Sequence, residues 1–180
     1  MDDITAAKHL IRCLGLTSLN HDDTKKVITE LCDRAITSYG NVAAVCIYPE
    51  FIPVALQELK SNLKIATVVN FPDGSSDIKR LEKEINQAIK LGADEIDAVL
   101  PYQAFLCDDF KICEQFLQKA RELCADKTLK IIIESGELKS ASNFFSSVFL
   151  FSTERKISFL FSKSSVNISS LCNCKVSFIS

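Results

Sequence analysis

Five short apolar runs, each separated from the next by an amphipathic helical stripe, set the fold class of this 180-residue chain. The runs start near residues 14, 42, 64, 95 and 129. Val42–Tyr48, Ile65–Val69 and Leu129–Ile133 are apolar on nearly every residue. A strand of that kind has to be covered on both faces, which is the condition of a parallel sheet under helices. The intervening segments carry their apolar residues at helical spacing. One stripe is Val27, Ile28, Leu31, Cys32, Ala35 and Ile36; a second is Ile78, Leu81, Ile85, Ala88 and Ile89. A third and longer one runs from Phe110 through Phe116 and Leu117 to Leu123, and Ile4–Arg12 is helical in composition.

The punctuation agrees. Asn20 to Thr24 supplies cap-type residues and first-turn acids, and Ser75, Ser76 and Asp77 can cap the second stripe. Gly40 and Gly92 stand where helices are expected to stop, and Pro49 and Pro101 close strands. Pro53 is tolerable only in the first turn of a helix bearing Ile52, Ala55, Leu56 and Leu59. Either a doubly wound sheet or a (β/α)8 barrel satisfies this alternation. No Gly-x-Gly-x-x-Gly or Gly-Lys-Ser/Thr loop follows a strand, which weakens a nucleotide-binding assignment. The units average about 29 residues, so eight would need roughly 230, near the size of a full barrel. Five fit before the character of the chain changes.

That change falls near Lys139. Residues 1–139 contain 22 of the 23 acids, all five glycines and six serines; residues 140–180 contain one acid, no Gly or Pro, 13 Ser and seven Phe. The net charge is −5 for the first part and +3 for the second. Over the whole chain the balance is −2, which argues against a nucleic-acid or anionic-membrane binder driven by bulk charge. No run approaches the ~18 apolar residues of a membrane span. The acids in Met-Asp-Asp-Ile-Thr stand where a secretory signal would carry Lys or Arg, so a cytoplasmic protein is expected.

Asp97 is the sharpest chemical signal. It lies in Asp94-Glu95-Ile96-Asp97-Ala98-Val99-Leu100, a strand expected to be buried, where a carboxylate is costly unless it is paired or has work to do. Alternation puts Glu95, Asp97 and Val99 on one face, and Pro101 marks the strand's C-terminal end, where barrel active sites sit. The competing reading is an Asp that caps a neighbouring loop. Lys130 opens Lys-Ile-Ile-Ile-Glu and could serve as an amine nucleophile, a proton-relay partner or a phosphate contact, against a lysine that simply reaches solvent. Cys46 reads first as a small core residue. The eight cysteines have no Cys-x-x-Cys pair, His9 and His21 have no ligand spacing, and neither zinc nor a disulfide framework is supported. Asp22-Asp23 is best explained as helix-start chemistry.

Five segments in order carry a resemblance: Leu16-Thr17-Ser18-Leu19-Asn20, Ala44-Val45-Cys46-Ile47-Tyr48-Pro49, Ala66-Thr67-Val68-Val69-Asn70-Phe71-Pro72, Gly92-Ala93-Asp94-Glu95-Ile96-Asp97 and Lys130-Ile131-Ile132-Ile133-Glu134-Ser135-Gly136-Glu137-Leu138. Together they resemble deoxyribose-phosphate aldolase over residues 8–141. The resemblance implies a (β/α)8 TIM barrel and a class I aldolase, a lyase that uses no metal or other cofactor. Such an enzyme cleaves 2-deoxy-D-ribose 5-phosphate to D-glyceraldehyde 3-phosphate and acetaldehyde through a lysine Schiff base. It further implies that Asp97 relays protons and that Thr17, Leu19, Cys46, Val68, Phe71 and Lys130 line the substrate pocket. The implied partner is a small sugar phosphate, in deoxyribonucleotide catabolism, with no nucleic acid or membrane; a homo-oligomer stays open.

The chain departs from the family in two places. Gly15 stands where the family usually carries an active-site Asp. The sixth strand, apolar-Ile-Lys-Thr-Ser-Thr-Gly in the family, should bring its Schiff-base lysine near residue 160, but this region reads Ile157-Ser158-Phe159-Leu160-Phe161-Ser162-Lys163-Ser164-Ser165. Lys163 is the only lysine placed to stand in. The expected organisation is therefore residues 1–141 as about five βα units of an incomplete TIM barrel. Residues 142–180 follow as an aberrant Ser/Phe-rich tail, from a changed reading frame or truncation or else a divergent C-terminus. Aldolase activity is expected to be weak or absent, the alternative being a non-catalytic remnant or partner-binding half-barrel. Five strands would leave the fifth strand's edge unpaired unless the tail or another subunit covers it.

Overall fold

A computed structural model describes residues 2–60, 63–134 and 136–137, together with the backbone of 157–161 and 177–178. In chain order the elements are α1 (Asp3–Ile11), β1 (Gly15–Thr17), α2 (Lys25–Ala35), β2 (Ile36–Thr37), β3 (Gly40–Asn41), β4 (Ala44–Ile47), α3 (Ile52–Leu59) and β5 (Lys64–Val69). There follow α4 (Ile78–Leu91), β6 (Glu95–Val99), α5 (Tyr102–Leu106), α6 (Phe110–Leu123), β7 (Thr128–Ile132), β8 (Ile157–Phe161) and β9 (Ser177–Phe178). The fold is α/β, with β1, β4, β5, β6 and β7 as five of its parallel strands. It divides into two units, residues 1–68 with 87–95 and residues 69–86 with 96–180.

In the first unit the strand order is β1-β4-β5, all parallel, with Thr17 opposite Cys46 and Cys46 opposite Ala66. All four residues of β4 are buried, as its unbroken apolar sequence demands. Helix α2 starts where Thr24 accepts the Val27 N–H, and it buries Ile28, Leu31, Cys32 and Ala35. Helix α3 carries Pro53 in its first turn, where the missing N–H costs nothing, and buries Ile52, Ala55 and Leu59. The four large ones, Ile28, Leu31, Ile52 and Leu59, at about 1.5–3 kcal/mol each, are the main driving force of this layer.

Two expectations change here. Gly40 does not stop α2. The helix ends at Ala35, and residues 36–41 form a small antiparallel hairpin with Ile36 opposite Asn41. Thr37 drives it, accepting the Tyr39 N–H at 3.1 Å and donating its hydroxyl to the Gly40 carbonyl at 2.6 Å. The fourth strand is also shorter than Val42–Tyr48, because the Val42 and Ala43 amides bond back to Ala35 and Leu14 instead of joining the ladder.

The second unit contains β6, β7, β8 and β9 in that order, with β7–β8 and β8–β9 parallel. Asp109 caps α6 by accepting the Ile112 N–H, and the helix buries Cys113, Phe116, Leu117 and Ala120. Phe105 and Phe110 meet edge to face at 5.4 Å, joining α5 to α6. The outer edge of β7 is not left open: Leu129 lies opposite Ile157 and Ile132 opposite Leu160. Ile157-Ser158-Phe159-Leu160-Phe161 is rich in strand-forming residues, so the changed composition still supplies a paired strand.

Candidate active site

Asp97 is buried on β6, and its carboxylate is met by the ammonium of Lys130 on β7. Lys130 Nζ lies 2.8 Å from Oδ1 and 3.0 Å from Oδ2. The side chains are 3% and 14% exposed respectively, so this is an ion pair largely withdrawn from water. Such a pair is held by a strong mutual attraction against a large desolvation cost. The two residues that sequence reasoning singled out separately, 33 positions apart, therefore form one group. Asp97 thus has a cationic partner within the core, and the Lys130 side chain is mostly shielded from solvent.

The end of β6 beside this pair is fastened by a set of contacts that sequence reasoning missed. Asn70 is fully buried and sits in the left-handed region at φ 55°. Its Nδ2 donates to the carbonyls of Val99 (2.9 Å) and Ser75 (2.8 Å), and its N–H donates to Glu84 Oε2 at 2.6 Å. Arg80 bonds both Glu84 and Asp73 at 2.8 Å, and this bond from Arg80 holds the Asp73 carboxyl below its ordinary range. Gly74 then has to be glycine: it has φ 60°, and a Cβ there would lie 2.5 Å from the Leu100 carbonyl oxygen and 2.8 Å from the Tyr102 ring. In the sequence, Asn70-Phe71-Pro72-Asp73-Gly74 announced only a turn. Asn as the non-glycine residue most at ease with positive φ was the available signal.

The other implied pocket residues are distributed as follows. Thr17 ends β1 and Cys46, buried in β4, lies opposite it in register. Leu19 is half-buried just beyond β1, where its carbonyl accepts the Tyr48 hydroxyl at 3.2 Å. Val68 is buried in β5. These four belong to the first unit; half-buried Phe71, Asp97 and Lys130 belong to the second. Lys163 lies outside the described residues. A Cβ at Gly15 would meet no heavy atom within 4 Å, so nothing local excludes a larger residue there. Asp23 serves the loop after β1, accepting from Ser18 Oγ at 2.9 Å and Asn20 N at 3.2 Å, while Thr24 caps α2. The pair Asp22-Asp23 is thus only partly helix-start chemistry. Among the described residues no three metal-ligating side chains converge, and no helix is long and apolar enough to cross a membrane.

Solved structures with the same fold include two proteins assigned as deoxyribose-phosphate aldolases. One, from Coccidioides immitis, is 22% identical with a TM-score of 0.81, over 95% of this chain and 72% of the other. The other, from Toxoplasma gondii ME49, is 20% identical with a TM-score of 0.77, over 90% of this chain and 62% of the other. A tetrameric deoxyribose phosphate aldolase from Aeropyrum pernix matches at 18% identity and a TM-score of 0.65, over 87% of this chain and 64% of its own. The chain thus spans between about three fifths and three quarters of these relatives. At such identities the likeness establishes the fold, a TIM barrel present here in part. The sequence model of the DeoC/LacD aldolases matches residues 10–147, three quarters of the chain and the strands β1, β4, β5, β6 and β7, and on that match the chain belongs to the DeoC/LacD family of aldolases.

Proposed function

We propose that this chain carries part of a class I aldolase site for the reversible cleavage of 2-deoxy-D-ribose 5-phosphate, and that by itself it turns the substrate over weakly or not at all. The observation that carries the reading is the Asp97–Lys130 pair on neighbouring strands. An ammonium hydrogen-bonded to one oxygen of a carboxylate and ion-paired with the other is suited to passing protons rather than attacking a carbonyl. In the proposed reaction a separate lysine amine condenses with the C1 aldehyde and releases water. The C3 hydroxyl loses its proton to the Asp97–Lys130 relay, and the C2–C3 bond breaks with its electron pair entering the iminium. D-Glyceraldehyde 3-phosphate departs. The enamine left behind takes a proton at C2 from the same relay, and hydrolysis frees acetaldehyde.

Lys163 is the one residue here in reach of the condensing role by sequence, and it lacks the Thr-Ser-Thr-Gly context that would shape a phosphate-binding turn. Residues 142–180 fit translation from a changed reading frame, which resequencing of the coding region checks directly: absence of an aldolase-like downstream frame rejects it. A sugar phosphate substrate, a cytosolic setting and a homo-oligomer like the Aeropyrum pernix tetramer belong to the same proposal.

Trapping with acetaldehyde and borohydride, followed by mass mapping, tests the proposal. No reduced adduct and no cleavage of 2-deoxyribose 5-phosphate are expected. A reduced two-carbon adduct on Lys163 with measurable turnover overturns the inactivity, and turnover unaffected by Asp97→Asn removes the relay.

A further inference from the structure

Within the first unit a cavity of about 700 Å³ opens at the N-terminal ends of β4 and β5, the opposite end of those strands from Ile47 and Val68. Its size is that of a small-molecule site. Its apolar lining includes Leu59, Ile65 and Leu56, of which Leu56 stays 42% exposed. Its polar lining includes Arg12, Asn41 and Lys64 with a single acid, Asp94.

The charges of the lining are not equally available. Asp94 is engaged, since its Oδ2 accepts the Ile65 N–H at 3.0 Å. Lys64 lies 3.3 Å from Glu95, but at 59% exposure that pair is weak and easily exchanged. Arg12 is exposed and makes no ion pair among the described residues. Two glycines keep the walls thin, both at positive φ. A Cβ at Gly92 would come within 2.9 Å of Leu56 Cδ1, and one at Gly40 would face Arg12 Nε at 3.9 Å. An uncommitted guanidinium in a hollow partly lined by leucines matches an anionic head group on an apolar body, because the planar fork takes a phosphate or carboxylate in two parallel bonds.

We propose that this cavity binds a small organic anion with an apolar tail, its head held by Arg12 and Lys64 and its tail laid against Leu56 and Leu59. The proposal is independent of the aldolase reading, because it uses neither Asp97 nor Lys130.

Hexyl phosphate is the probe, titrated into the full chain labelled with nitrogen-15. The expected result is saturable shifts of the Gly40, Asn41 and Gly92 amides, with affinity about tenfold lower in Arg12→Gln and partly restored in Arg12→Lys. Inorganic phosphate and hexanol, each half of the probe, are expected to bind at least about tenfold more weakly. Hexanoate separates the head groups: binding like that of hexyl phosphate supports a general anion site, and the absence of binding supports one for phosphates. Arg12 is exposed, so its variants should fold, and an unchanged far-ultraviolet spectrum checks that they do. Unchanged affinity in Arg12→Gln, hexanol binding as tightly as hexyl phosphate, or shifts confined to other residues overturns the proposal. So do shifts at these amides that follow protein concentration without ligand, since a second copy of the chain would then be the occupant.

Discussion

At Asp97 and Lys130 the decisive quantity is the cost of leaving one charge alone in a site closed to water. Lys130→Met strands a carboxylate that is 3% exposed and is expected to cost about 3–5 kcal/mol in urea unfolding. The double variant Asp97→Leu with Lys130→Met removes both charges and should be milder than Lys130→Met alone; a double variant as damaged as the single one would mean that packing, not charge, dominates. The cysteines show burial in a different way. Desolvation pushes the Cys32, Cys113 and Cys124 thiols up from 9.0 to about 11. Each then stays protonated in the folded chain over a range where the unfolded chain releases its proton. Their contribution to stability is complete below pH 9 and declines as pH rises from about 9 to 11. Urea midpoints across that window should fall, and less steeply in Cys124→Ala. In the native chain at pH 8, the exposed Cys13 and Cys107 should react with a thiol reagent well before these three.

Among the elements, the loop between β5 and α4 depends most on single atoms. Asn70→Ala removes two bonds that hold Ser75 and Val99, and Gly74→Ala forces a Cβ against the Leu100 carbonyl oxygen. Each is expected to cost about 1–3 kcal/mol, measured by thermal or urea unfolding. An unaffected Gly74→Ala variant would show that the loop can lift off the end of β6. This loop also marks where sequence reasoning stopped. Residues 70–74 were legible as a strand end, since Pro and Gly announce a turn from local sterics alone. That Asn70 would reach Val99, 29 residues on, was not legible, because the partner is a backbone carbonyl and any residue supplies one. The hairpin at 36–41 escaped for a related reason: Ile36 continues the helical stripe of α2, and only the Thr37 hydroxyl, bonded to its own turn, draws the chain out of the helix.

At the scale of the whole molecule, the point of interest is the edge of β7. Three of the five residues of β7, Leu129, Ile131 and Ile132, are apolar, and β8 lies along the strand in parallel register. A chain ending at residue 141 would bare that edge, so it should give less soluble protein and larger particles by light scattering than the 180-residue chain. Equal solubility of the two would mean that β8 contributes nothing to covering β7.

The sequence alone determined the class of the fold. A strand apolar on successive residues and a helix with one apolar stripe each state locally what they must be packed against, and about 29 residues per unit limited the chain to part of a barrel. It also marked Asp97, because a carboxylate amid Ile96, Ala98 and Val99 contradicts its surroundings. Tertiary structure alone decided how that carboxylate is met. Lys130 could have gone to solvent as most lysines do, and only the alignment of β6 beside β7 brings its ammonium to 2.8 Å from Asp97. The same holds for Asn70 and Val99, and for Arg12 and Leu56 in the lining of one cavity. Propensity and burial are properties of a residue and its near neighbours along the chain, whereas the pairing of one group with another depends on distances that exist only after the strands have aligned.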